Sequence, residues 1–218
     1  MLLPQHGAVT GWGSLRIRRG NFFDGLLPDG RTEMPVLLII GPGLNRSDRP
    51  GIRYSRDRLG PDELVVRHGI RITREERALF DEMRAAPDVR EAVVVADMGA
   101  AAEITSIRRM RVFVGAHEGW KGVRQVRAAL DLAEEDSRSP NETRTRLVWQ
   151  IDADLPRPLV NQEVWDLDGR LLGIADLLDP VAGVVGEFDG ADHRGALRQS
   201  KDIGRETGLR AMGSSSSG

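Results

Sequence analysis

Cysteine is absent from the 218-residue chain. Disulfides and thiolate zinc sites are therefore excluded, and an intracellular location is expected. No apolar run approaches the ~20 residues that span a bilayer. The start, "MLLPQHGAVTG", lacks a basic segment followed by a long apolar stretch. No signal peptide is read there, and a cytoplasmic protein without a membrane partner is expected. An excess of one charge is missing too: 31 basic and 33 acidic residues leave a formal net charge of −2. That balance carries no overall electrostatic footprint for nucleic acid, so any such site must be a local patch. His6, His68 and His117 lack paired metal spacing, and "GPG" at 41–43 lacks the rest of a phosphate loop.

What is present is enough apolar content, 40% of residues, to build a core in one large domain or two small ones. The first 70 residues read as mixed and strand-rich. "MPVLLIIGPG" predicts a buried strand ended by Gly-Pro-Gly, and "LVVRHGIRI" a short strand pair. Between them lies a turn-rich, arginine-rich stretch, 46–58, read as a loop with a solvated surface or a DNA contact as its two roles. "TREERALFDEMRAA" predicts a helix with Thr73 as N-cap and Glu76 completing a capping box. "DVREAVVVADMGAAAEI" predicts a buried helix that continues through "ITSIRRMRVFVGAH". "VRQVRAALDLAEED" predicts an amphipathic one.

Composition shifts at "EEDSRSPNE", which places a domain boundary between residues 133 and 134. Ser139, Pro140 and Glu142 then mark a helix start as N-cap, N1 and N3, with the helix running to about Ala153. Three strands follow, with turns at "DLDGR" and "DPVAG", and then a last helix, "GALRQSKDIGRETGLRAMG". "SSSSG", residues 214–218, is a low-complexity tail, expected to be disordered.

Acidic residues crowd the end of this segment. Glu187 and Asp189 are two apart in a strand reading and share a face. With a four-residue connection, Pro180 to Gly183, Asp176 falls opposite Glu187, at ~4.5–5.5 Å between Cβ atoms. Two carboxylates that close repel unless a cation lies between them, and a hard divalent ion with oxygen ligands fits. Beside this stands the plainer reading of a strand end followed by the turn signal "FDG". Glu142 has two readings as well: a helix cap alone, or a cap that is also a ligand.

The blocks "SPNETRTRLVW", "GIADLL", "GEFDGADH" and "KDIGRETGLRAMG" resemble, in this order and spacing, the Vsr-like endonuclease domain of unknown function, a branch of the PD-(D/E)XK or restriction-endonuclease-like superfamily. "TGWGSL", "FFDGL", "RALFDEMR" and "AALDLAEEDSRSP" are similar, more loosely, to AbiEi-type antitoxin or transcriptional-regulator regions. The resemblance implies an α/β (α+β) protein: a mixed, largely helical regulatory domain over 1–133, truncated at its start, and a restriction-endonuclease-like domain over 134–213. The latter would be a three-stranded core flanked by helices, with its last strand missing. It implies Mg2+ or Mn2+ as cofactor, DNA as partner, and Asp176, Glu187 and Glu142 as metal-binding residues. Asp189 stands where the superfamily carries a lysine. His193 becomes the candidate proton-transfer or phosphate-contact residue, and Lys201 and Arg205 are candidate phosphate contacts or a solvated helix face. The rival expectation is a non-catalytic DNA-binding regulator, or a type IV toxin–antitoxin antitoxin-like protein, on a degenerate nuclease scaffold. Oligomeric state stays open.

Overall fold

The computed structural model describes residues 3, 4 and 6–187. The chain divides into two compact units, Met1–Arg138 and Ser139–Gly218. Both mix helices and strands. No helix among the described residues is long and apolar enough to cross a membrane.

The first unit is built on five short strands: β1 (Ala8–Thr10), β2 (Val36–Ile39), β3 (Ile52–Ser55), β4 (Leu64–Arg67) and β5 (Ile70–Thr73). They lie side by side in the order β3-β2-β1-β5-β4. β1 runs parallel to β5 and antiparallel to β2, β2 is parallel to β3, and β4–β5 is a hairpin. The first helix, α1 (Trp12–Ile17), follows β1 directly, and four more follow β5: α2 (Glu75–Ala85), α3 (Val89–Ala101), α4 (Ile107–Gly115) and α5 (Val123–Leu132). On α2 the residues Ala78, Leu79, Phe80 and Met83 are all buried, so this helix carries the centre of the core. Gly99 lets α3 approach it, since a Cβ there would lie 2.7 Å from the Leu79 side chain.

A buried polar network fixes α2 to the sheet. Thr10 Oγ1 donates to Asp81 (2.6 Å) and lies 2.8 Å from Thr73 Oγ1. Arg77 pairs with Asp81 (3.0 Å) and Glu63 (2.9 Å), Arg84 pairs with Asp81 (2.8 Å) and with Asp57, and the Arg77 guanidinium sits 4.3 Å from the Trp120 ring centre. Ions this deep in a protein are tolerated only when paired and hydrogen-bonded, a condition met here from three directions.

Three local expectations change. Thr73 does not cap α2: it ends β5, its hydroxyl is committed to Thr10, and Arg74 occupies the N-cap without a side-chain bond. Glu76 instead accepts from Thr105 (2.8 Å) and pairs with Arg109 (2.7 Å). The long helix expected across 88–117 is two helices. α3 closes at Glu103, whose φ is 54°, with Ile104 N–H donating back to Gly99 O (3.1 Å). α4 restarts at Ser106, whose hydroxyl accepts from Arg109 N–H. The arginine-rich stretch also contains a strand, β3, in register with β2.

The second unit begins with α6 (Pro140–Leu147), capped by Ser139, and one π-helical turn over Val148–Asp152. Strands β6 (Leu159–Trp165), β7 (Leu171–Asp179) and β8 (Val184–Gly186) follow as an antiparallel meander, β6-β7-β8. Asp166 closes the first turn by accepting from Asp168 N–H (3.0 Å) and Arg170 N–H (2.8 Å). Asp179 closes the second by accepting from Val181 N–H (2.9 Å) and Ala182 N–H (3.0 Å). Val160, Val164, Ala175, Leu177 and Leu178 are the buried apolar residues of this sheet.

Candidate functional site

The register of the meander follows from the Asp179 turn. Because the connection is Pro180–Gly183, Asp179 pairs with Val184, Leu178 with Val185, and Leu177 with Gly186. One step further along the same ladder, Asp176 stands opposite Glu187. On the other side of β7, Val160 pairs with Leu177 and Gln162 with Ala175, which puts Asn161 opposite Asp176. A polar row, Asn161–Asp176–Glu187, therefore crosses all three strands.

Asn161 is unusual within this row. Its φ is 51°, a left-handed conformation in mid-strand. Asparagine tolerates that region better than most side chains, yet it still costs about 1–2 kcal/mol against extended backbone. Its carboxamide Nδ2 donates to Glu142 Oε2 at 3.0 Å. The other carboxylate oxygen, Oε1, accepts from Ser139 Oγ at 3.0 Å, while Ser139 Oγ accepts from Glu142 N–H at 3.2 Å. Glu142 thus serves as part of the α6 cap and is tied through Asn161 to the sheet that carries Asp176. One residue joins the two halves of the arrangement.

Glu187 is exposed, yet partial desolvation pushes its carboxyl above the ordinary range, and the like charge of Asp176 adds to the effect. Beside it, Gly186 leaves room for Trp149: a Cβ there would come 3.1 Å from the indole ring and 3.3 Å from Leu177 Cβ. The Trp149 indole is held by its Nε1–H bond to Pro156 O (2.8 Å).

Comparison with known proteins gives no matching family model, no matching curated protein and no matching solved structure. The site is therefore read from its own chemistry.

Asp176 and Glu187 are brought face to face, and Glu142 is connected to them through Asn161. The three carboxylates do not form one tight cluster: among the described residues no group of three or more His, Asp or Glu side chains is close enough to hold a metal ion. Asp189, His193, Lys201 and Arg205 lie outside the described residues. The sequence reading missed Asn161, whose only trace is a polar Asn-Gln pair inside the strand "LVNQEVW". It also missed Arg146, fully buried on α6 and donating to Gln150 (2.8 Å).

In the first unit Glu82 is a strongly perturbed acid. Burial pushes it up to about 7, against the downward pull of the Trp12 N–H bond (2.7 Å) and of Arg53. That bond holds the turn at Gly11, where φ is 59° and a Cβ would lie 2.7 Å from the Glu82 carboxylate. Only glycine fits both constraints.

Proposed function

We propose that the second unit is a metal-dependent, nuclease-like domain that hydrolyses phosphodiester bonds of DNA, with Mg2+ or Mn2+ as the cation. The supporting observation is the facing of Asp176 and Glu187, set by the β7–β8 register. Desolvation is the larger cause of the raised Glu187 carboxyl and the like charge of Asp176 adds to it, a repulsion that a bound divalent cation relieves. The donor chemistry fits a hard ion, because the two facing groups are carboxylates. Bound there, the cation would supply Lewis acidity and a more acidic water.

The chain's own residues have separate parts in this reading. Asp176 and Glu187 hold the ion. Asn161 and Ser139 fix the orientation of Glu142, so its carboxylate is presented from α6 in one direction. The roles assigned to Asp189, His193, Lys201 and Arg205 rest on the motif resemblance. The restriction-endonuclease-like fold of this unit and an antitoxin-like regulatory role for the first belong to the same proposal.

One observation favours a second reading, a non-catalytic DNA-binding regulator. Glu142 is already engaged by Asn161 and Ser139, and no three-carboxylate group gathers among the described residues. Calorimetric titration of Mg2+ and Mn2+ into the wild-type chain and Asp176→Ala, run beside a plasmid-nicking assay, decides between them. Saturable binding that disappears in Asp176→Ala, with metal-dependent nicking, is the expected result. DNA binding in chelator that is unchanged by Asp176→Ala, without nicking under any metal, supports the regulator and overturns the enzyme.

A further inference from the structure

We propose that a cavity in the first unit binds a nucleoside phosphate, at a site separate from the carboxylates of the second unit and independent of the reading given to them. The cavity has a volume of about 460 Å³ and is lined by Arg18, Arg19, Arg67, His68, Glu75 and Glu103. That size lies in the range of small-molecule sites, roughly 300–1,000 Å³, and exceeds what inorganic phosphate would fill.

The backbone around it is the first argument. Among the described residues five non-glycine residues have left-handed backbone, and three of them line this cavity: Arg19 (φ 69°), His68 (φ 49°) and Glu103 (φ 54°). Each occupies a position where glycine is the low-cost residue. Arg19 and Glu103 follow the last turns of α1 and α3, where the αL residue is most often glycine. His68 is the first of the two residues, His68 and Gly69, that turn the β4–β5 hairpin, where Asn or Gly is usual. At all three positions the chain carries a long polar or charged side chain at a conformational cost, and all three line one cavity. Backbone strain concentrated in this way is a mark of binding sites.

The disposition of charge is the second argument. Arg18 is committed to the fold: it pairs with Glu75 (3.0 Å) and donates to Ser14 Oγ (2.7 Å) and Thr73 O (2.7 Å). The guanidinium groups of Arg19 and Arg67 make no hydrogen bond or ion pair with any described residue. Two uncommitted guanidiniums at one cavity are suited to an anion whose oxygens take paired N–H donors, as phosphate does. The Glu103 carboxylate, which bonds to no described residue, adds a hydrogen-bond acceptor on the same wall. Phosphate alone would be repelled by it. A ligand carrying phosphate together with hydroxyl or amino donors satisfies both, and a nucleoside phosphate is such a ligand. The same chemistry is offered by a free nucleotide or by the 5′-phosphorylated end of a DNA strand.

Calorimetry on the full chain with AMP, inorganic phosphate and a 5′-phosphorylated single-stranded oligonucleotide tests the proposal. The variants are Arg19→Gly and Arg67→Ala. Arg19→Gly removes the left-handed cost, so it should melt higher than wild type while weakening binding by about tenfold or more. Loss of binding together with a raised melting temperature is a result that a purely structural arginine does not give. Binding of AMP identifies a free nucleotide, and binding of the oligonucleotide without AMP identifies a strand end. Either result supports the proposal when Arg19→Gly and Arg67→Ala both weaken it. No binding of any probe at millimolar concentration, equal affinity for inorganic phosphate and AMP, or binding unchanged in both variants overturns it.

Discussion

Glu82→Gln should stabilise the first unit above neutral pH and leave it nearly unchanged in acid. The Glu82 carboxyl is pushed up to about 7 from an ordinary 4.5, first by burial, with Asp81 adding to the effect. A group raised in the native state contributes its full stability below its unfolded value and loses it as pH rises through the native one. Glu82 is thus protonated in both states below about pH 4.5, and the unfolded chain ionises first as pH rises toward 7. Above that the native state carries a buried carboxylate at a cost of about 3 kcal/mol, at 1.36 kcal/mol per tenfold change in proton affinity. Glutamine keeps the Trp12 N–H acceptor, and the charge assistance of that bond is already contained in the value of about 7. The net expectation is a gain of about 3 kcal/mol above pH 8, which raises the melting temperature by roughly 6–12 °C for a chain of this size. Well below pH 4.5 the two proteins should melt together, because both then carry a neutral group in both states. Circular dichroism melts of both proteins across this range give a difference curve in which every other carboxylate cancels. Parallel curves at all pH values, or a variant less stable above pH 8, would show that the Glu82 charge is not held against solvent as the geometry requires.

Glu187→Gln should abolish divalent-ion binding measured by calorimetry while leaving the metal-free protein as stable as wild type or slightly more so. The facing Asp176 charge then loses its like-charged neighbour. Asn161→Gly should keep the left-handed backbone and release Glu142. Metal affinity or nicking should fall without a drop in melting temperature, because relief of the left-handed cost offsets the lost Glu142 bond, whereas Asn161→Ala loses that bond without the relief and should melt lower. Asp179→Ala should cost about 1–2 kcal/mol by removing the acceptor for Val181 and Ala182 N–H. It should also weaken metal binding, because the same turn sets the pairing of Asp176 with Glu187.

The parts of this architecture that were legible in the sequence are those fixed by short-range chemistry. Gly69 between two β-branched runs marks the β4–β5 hairpin, and Ser139-Pro140 marks the start of α6, because hairpin turns and caps are decided within a few residues. The facing of Asp176 and Glu187 was legible for the same reason: a four-residue connection determines the ladder on both sides of it. Thr73 shows where local reading fails. A threonine three residues before a glutamate is a cap signal whether it precedes a helix or ends a strand. Only the distant Thr10, which takes its hydroxyl, decides the matter. β3 was hidden for a related reason. "IRYS" has few apolar residues, and its pairing comes from a parallel neighbour about 16 residues away along the chain rather than from its own pattern.

Asn161 lies beyond any periodicity argument, because a sequence records residue type and not φ. Glu142 is the third residue of the α6 cap, and Asn161 adds a tie from it to the sheet. With it, the carboxylate on α6 is bonded to the residue opposite Asp176, so a shift of α6 along the sheet must break a 3.0 Å hydrogen bond or move β6. The left-handed strain at Asn161 is then the cost of fixing helix and acidic row to each other. A scaffold without a use for that alignment would be more stable with glycine at this position. The alignment requirement is shared by a metal-dependent enzyme and by a regulator that recognises DNA with the same face. The melting temperature of Asn161→Gly therefore becomes informative beside its binding data. A variant that melts higher but loses the metal marks a position selected for chemistry. A variant that melts lower, with metal binding intact, marks one selected for the fold alone.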